Sequence, residues 1–303
     1  KFTKGVLKGN FLNDDIYINF TSEEKNNQDL IEAVLKMSNM NLYAKTQFFL
    51  EKNKNGIKGN ILIKENKKNL TGLFHYKDNL LTINKSNVSN SFLEGKLSGK
   101  VNFSPYFNFD LDLNLNNINF TKLHSNFVSL DTNGKNSFFR INKKINGKLN
   151  FSSDKVYSGN NLVKSFESRL KFNNGSIFVE QFLLNLGKLG AADFLGEINN
   201  DKQSPNFKFE SNIFVDNQKK FLSKFGIYNR NEIPSNFFVS GNIDLENLRI
   251  FLYEISDQEK LKNDDINFIE KEFNDYMFED GYESLFNFSK FKEFVKSITT
   301  EVN

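Results

Sequence analysis

One stretch constrains the fold more than any other: Phe107, Phe109, Leu111, Leu113 and Leu115 alternate with Asn108, Asp110, Asp112, Asn114 and Asn116. Successive side chains of a β-strand point to opposite faces, so strict period two gives one apolar and one polar face, whereas a helix would smear both around its axis. At Asn116-Asn117 the phase slips and Ile118 and Phe120 continue on even positions, which predicts a bulge or turn there. The same alternation runs through Leu93, Leu97, Val101 and Phe103, with Gly95 and Gly99 on the apolar side. It recurs in Ile145, Leu149 and Phe151, in Phe166, Leu170 and Phe172, in Phe207, Phe209, Ile213 and Val215, and in Phe237, Val239, Ile243 and Leu245. Asn55-Gly56, Asn133-Gly134, Asn146-Gly147, Ser158-Gly159 and Asn173-Asn174-Gly175 punctuate these runs as hairpin-type turns.

The pattern predicts a mainly β protein: a long antiparallel sheet, curved either into a closed β-sandwich or into an open β-groove, with short inserted helices and a helical C-terminal segment. Strands do not alternate with helices, which argues against a parallel α/β sheet. Helices are expected near 29–38, where Leu30, Ile31, Val34 and Leu35 share a helical stripe, and near 217–225, around Phe221, Leu222 and Phe225. From Leu248 onward the spacing becomes i, i+3, i+4, through Phe251, Leu252 and Ile255 to Phe288, Phe291, Phe294, Val295 and Ile298. Two regions follow, a β-groove over 1–247 and a helical segment over 248–303.

Charge divides the chain in the same place. The net charge is +3, but residues 254–283 hold eleven acids and three bases and residues 284–303 two acids and three bases, leaving +10 on the rest. The basic excess is diffuse, with lysines at alternate strand positions on a solvated face, so no nucleic-acid partner is expected. The acidic helices are read as a cap on the end of the sheet, which would otherwise present an open strand edge. A second reading has the stripe Phe288, Phe291, Phe294, Val295 and Ile298 docking a partner helix.

The residue types leave little room for catalysis. There is no cysteine, which removes disulfides, thiolate metal sites and thiol nucleophiles. Only His75 and His124 carry imidazole, and each reads as a strand residue with no ligand role. The acidic pairs Asp14-Asp15, Asp264-Asp265 and Glu279-Asp280 lack calcium-loop spacing, and Gly187, Gly190 and Gly196 suit strand turns better than a phosphate loop. No nucleophile elbow, Walker loop or zinc-protease motif occurs, so a non-enzymatic protein without metal or cofactor is expected.

An antiparallel sheet with one apolar face must cover it with a second sheet, with helices or with an apolar ligand. The helices expected within 1–245 are too short for that task. Folded across its short dimension, the sheet would make a trough for acyl chains, since hydrocarbon needs apolar area and no polar partner. The alternatives are a closed β-sandwich acting as a scaffold or adhesion module without a small ligand, and a transmembrane β-barrel.

The segment Ile145–Asn200 resembles the C-terminal repeat region of the AsmA-like family of bacterial envelope proteins. The resemblance rests on Gly147-Lys148-Leu149, on Leu170 to Ile177 with its Asn173-Asn174-Gly175 turn, on Gly190 to Gly196 with Phe194 and Leu195, and on Ser240-Gly241-Asn242-Ile243-Asp244-Leu245. It implies a periplasmic protein of a Gram-negative bacterium, anchored to the inner membrane, that carries phospholipid along a β-groove toward the outer membrane and meets envelope proteins at the groove's ends. The groove candidates are Leu97, Val101, Phe103, Phe107, Phe109, Leu111, Leu113, Leu149, Phe151, Leu170 and Phe172. No run of 18 apolar residues is present and the sequence opens on Lys1, so the anchor is expected outside this stretch.

Overall fold

The structure is a computed structural model describing residues 2–11, 14–25, 28–37, 42–50, 57–65, 68–130, 139–199, 204–228, 233, 235–257 and 259–301. The fold is mainly β, with seventeen strands among the described residues and a helical C-terminal part. The chain divides into two compact units: Lys1–Ile118 with Lys144–Phe151, and Asn119–Lys143 with Ser152–Asn303.

Among its described residues, the first unit has strands and turns as its only regular elements. These are β1 (Phe2–Phe11), β2 (Asp14–Lys25), β3 (Gln28–Met37), β4 (Leu42–Leu50), β5 (Ile57–Glu65), β6 (Lys68–Lys77), β7 (Leu80–Ser89), β8 (Leu93–Asn102), β9 (Asn108–Asn119) and β10 (Asn146–Ser153). From β1 to β9 each strand pairs antiparallel with the next, and β10 pairs with β9. Asp78 and Asn79, both at positive φ, close the two-residue hairpin between β6 and β7, a conformation that Asp and Asn tolerate better than most residues. The expected slip occurs in β9: Leu115 faces Gly95 and Asn117 faces Glu94, leaving Asn116 as the extra residue of a bulge.

Two expectations need correction. Residues 29–38 do not form a helix: Gln28–Met37 is strand β3, paired along its length with β2 and β4. The apparent helical stripe arises because Leu30 and Val34 lie on one face while Ile31 and Leu35 lie on the other, and two flanking strands override a weak local preference. The helical region also does not begin at Leu248: Arg249–Ser256 is strand β17, paired with β16, so backbone pairing continues across 247/248. The turns expected at Asn55-Gly56 and Asn133-Gly134 lie outside the described residues.

The second unit contains β11 (Val156–Tyr157), β12 (Ser165–Asn173), β13 (Ser176–Asn185), β14 (Gly190–Asn199), β15 (Asn206–Val215), β16 (Asn236–Asp244) and β17 (Arg249–Ser256), with β12 to β17 forming an antiparallel meander. Its helices are α1 (Phe120–Val128), α2 (Gln218–Lys224), α3 (Asn263–Met277) and α4 (Phe288–Glu301). The alternation did not reveal α1. Its start is set by Asn119, whose Oδ1 accepts from Lys122 N at 2.9 Å, and Phe120, Leu123 and Phe127 then follow helical spacing. His124 is therefore a helix residue, and its Nε2 meets the Tyr282 carbonyl at 2.8 Å. His75 does lie in a strand, β6.

Candidate apolar binding face

Cross-strand partners in an antiparallel sheet share a face, so strand register shows which side chains line up. Starting from β9, Leu111 faces Gly99 and Phe109 faces Val101 on β8, and these face Ile83 and Leu81 on β7. Ile83 and Leu81 continue to Phe74 and Tyr76 on β6, then to Gly59 and Ile57 on β5. Gly59 continues to Phe48 on β4 and Ile31 on β3. Parallel rows complete the face with Leu35 on β3, with Ile16, Ile18 and Phe20 on β2, and with Gly5 and Leu7 on β1. One apolar face is thus continuous from β1 to β9. Where β7 carries one extra residue between Ile83 and Ser86, a bulge returns the next apolar residue, Val88, to the same side.

The opposite face carries Lys45, Gln47, Asn60, Thr71, Lys96, Lys100, Asp110 and Asp112, with Gln47 facing Asn60 and Lys100 facing Asp110. Lys45 Nζ lies 2.8 Å from Glu32 Oε1 and Gln47 Nε2 donates to Glu32 Oε2 at 2.8 Å, contacts that hold the Glu32 carboxyl below its ordinary range. The depression between β4 and β7 lies on this face, where Leu62 and Leu73 line it together with Lys45, Gln47, Asn60 and Thr71.

Ten strands of this unit bury few side chains. Ala44, Ser86, Val101, Leu115 and Ile118 are buried on the apolar face, while Ile18, Ile31, Leu35, Phe48, Phe74, Ile83, Leu97, Leu111 and Leu113 are half-buried and Phe20 is exposed. In a closed sandwich such rows would be buried by the facing sheet. Nine strands at ~4.8 Å spacing and about 30 Å length give this face a footprint of roughly 1,200 Å².

Two glycines let the face knit together. A Cβ at Gly59 would lie 2.5 Å from Phe48 Cβ and 2.9 Å from Phe74 Cζ. Without one, the two rings meet edge to face across β5 with centroids 6.3 Å apart. Gly99 sits at φ +135°, and a Cβ there would be 2.1 Å from the Asp110 carbonyl oxygen, so no other residue allows β8 and β9 to approach as they do.

Five of the candidate residues come together by register: Leu97, Val101, Phe109, Leu111 and Leu113. Leu149 and Phe151 on β10 join them by alternation, because Asn150 between them donates to Asp112 on the polar face at 2.7 Å. Phe103 and Phe107 lie in the β8–β9 connection, where Phe107 contacts both Phe103 and Phe109 at centroid distances of 6.0 and 6.2 Å. Leu170 and Phe172 stand on β12, in the second unit. Sequence reading missed the rows on β1 to β7, although Ile16, Ile18 and Phe20 alternate with Tyr17 and Asn19 just as plainly.

In the second unit the corresponding face is partly covered. Val239, Leu252 and Ile255 pack against a buried cluster of Phe225, Ile266, Ile269, Phe294 and Val295, with Phe288, Phe291 and Ile298 around it. The C-terminal stripe thus packs within the chain and does not await a partner helix. At the other side of the meander, Phe120 of α1 stacks on Phe166 at 5.8 Å, and Phe166, Phe182 and Phe194 continue as an aromatic row across β12 to β14. Tyr282 donates from its hydroxyl to the Leu245 carbonyl and packs edge to face on Phe127 at 5.1 Å. Burial, with the nearby Asp244 charge, pushes its hydroxyl up to about 12. Burial opposes ionisation of Asp244 itself, but the Asn247 and Glu246 backbone amides and the Asn247 and Ser204 side chains outweigh it and hold the carboxyl below its ordinary value. Lys290 binds both Glu279 and Asp280, and these contacts raise its pKa.

No group of three or more potential metal ligands occurs among the described residues, and no described helix is long and apolar enough to cross a membrane. Comparison with protein-family models, curated proteins and solved structures returns no match.

Proposed function

We propose that the first unit binds phospholipid acyl chains along its apolar face, and that the chain is a non-enzymatic, lipid-carrying envelope protein of the AsmA-like type. The observation that carries this reading is the registered, half-buried apolar face running from β1 to β9, with no helix among the unit's described residues. Acyl chains are chemically suited to such a surface, because they gain from removing apolar area from water and ask for no hydrogen bonds. The polar opposite face, with its lysines and asparagines, suits contact with water. On this reading the protein works in the periplasm of a Gram-negative bacterium, anchored to the inner membrane by a segment outside this stretch. It would contribute to phospholipid transport between the two membranes and to outer-membrane assembly, with further envelope proteins at the groove's ends.

The test is native mass spectrometry with lipid extraction on the chain expressed in a bacterium. Phospholipid should co-purify, and Leu111→Asp should remove it while the β circular dichroism persists, since a carboxylate at this partly accessible position can stay hydrated. A stably folded, lipid-free parent chain would overturn the proposal. So would a Leu111→Asp variant that unfolds, because a closed core would not tolerate the charge.

A further inference from the structure

The outward side of β17, away from β16, is closed by a device independent of whatever the apolar face binds. On that side Ile250 N donates to Asn274 Oδ1 at 2.9 Å and Leu252 N to Glu270 Oε2 at 2.8 Å, while Asn274 Nδ2 donates to the Ile250 carbonyl at 3.1 Å. Farther along, Leu261 N donates to the Ile255 carbonyl at 2.9 Å, and Lys260 forms a bridge with Ser256. Residues 250 and 252 are two apart, the repeat at which a strand offers its backbone groups to one side. Glu270 and Asn274 are four apart, the repeat at which a helix presents one stripe. The carboxamide of Asn274 supplies one donor and one acceptor, as the peptide group of a neighbouring strand would.

We propose that α3 is a built-in stop for the sheet, in which Asn274 and Glu270 stand in for an adjoining strand and deny the outer edge of β17 to strand addition by a second copy of this chain. Unpaired edge amides and carbonyls template such addition, and covering the edge is a recognised way to prevent it. The core beneath, with Ile266 and Ile269 of α3 against Ile255, holds the helix at the distance these bonds require. Glu270 is needed here as an acceptor and not as a charge.

The unaltered chain gives the first arm. The amides of Ile250 and Leu252 should exchange with deuterium as slowly as those of β16, and fast exchange at both would overturn the proposal whatever the variants do. The second arm pairs Glu270→Leu/Asn274→Leu with the control Glu270→Gln, which keeps the acceptor oxygen. The double variant should lose at least tenfold protection at both amides. In sedimentation velocity it should also form concentration-dependent oligomers that the parent chain and Glu270→Gln do not. A double variant with unchanged protection, or one that loses protection yet sediments like the parent at every concentration, would overturn the proposal. Equal self-association by Glu270→Gln would do so as well.

Discussion

The two units are made of the same material, amphipathic antiparallel strands with glycines at their closest approaches, yet they treat the apolar face differently. In the second unit α1 covers Phe166 at one end of the meander, and α2 to α4 bury Ile255 and pack on Val239 and Leu252 at the other. In the first unit the corresponding rows lie half-buried, with no helix among its described residues. A chain able to build an aromatic helical cap has built it over one meander and not over the other. The difference teaches that apolar alternation alone does not specify a core; what lies over the strands decides whether the face stabilises the fold or remains available to a ligand.

Substitutions should separate these uses of hydrophobic surface. The largest effect is expected for Phe294→Ala, which removes a buried ring from the cap and should cost about 3–5 kcal/mol in denaturant unfolding of the second unit. Next comes Gly59→Val, whose Cβ would intrude between Phe48 and Phe74; a loss of about 1–3 kcal/mol should appear in unfolding of the first unit, without change at the cap. Leu111→Ala removes a half-buried side chain from the open face and should cost only about 1 kcal/mol, because little packing surrounds it to leave a cavity. An effect as large as that of Phe294→Ala would mean that the two faces are equally closed.

The smallest effect is electrostatic. The Tyr282 hydroxyl is pushed up to about 12 from 10.0, so its neutral form is favoured in the folded state. The stability it contributes is fully present below pH 10 and is lost as pH rises toward 12. With the side chain partly exposed, solvent screening limits this to on the order of 1 kcal/mol. Thermal unfolding of the cap should therefore shift downward between pH 10 and 12, and Tyr282→Phe should flatten that dependence.

Much of the fold was legible because period two is hard to imitate: Phe109 to Leu115 and the slip at Asn116 correspond to β9 and its bulge, with Phe107 just ahead of the strand. Where reading failed, the cause is physical. In β17 a bulge beside Tyr253 turns the strand's i, i+2 spacing into the i, i+3 spacing of Leu252 and Ile255, which looks helical in one dimension. In β3, Leu30 and Val34 place apolar groups on the polar face, and the alternation disappears although the strand is regular. The candidate face was half visible for the same reason, its rows on β8 and β9 being clean and those on β3 and β7 interrupted. The stop formed by Asn274 and Glu270 had no sequence signal at all, because it depends on register between a helix and a strand more than a dozen residues apart.

Photo-crosslinking with a phospholipid carrying a diazirine in its acyl chain, read out by peptide mass spectrometry on the whole chain, tests the central claim most directly. The account predicts that crosslinks fall on apolar-face residues of the first unit such as Leu97, Leu111 and Leu113, and spare Lys96, Asp110 and Asp112 between them. Crosslinks spread equally over both faces, confined to α3 and α4, or absent from a folded chain would contradict it.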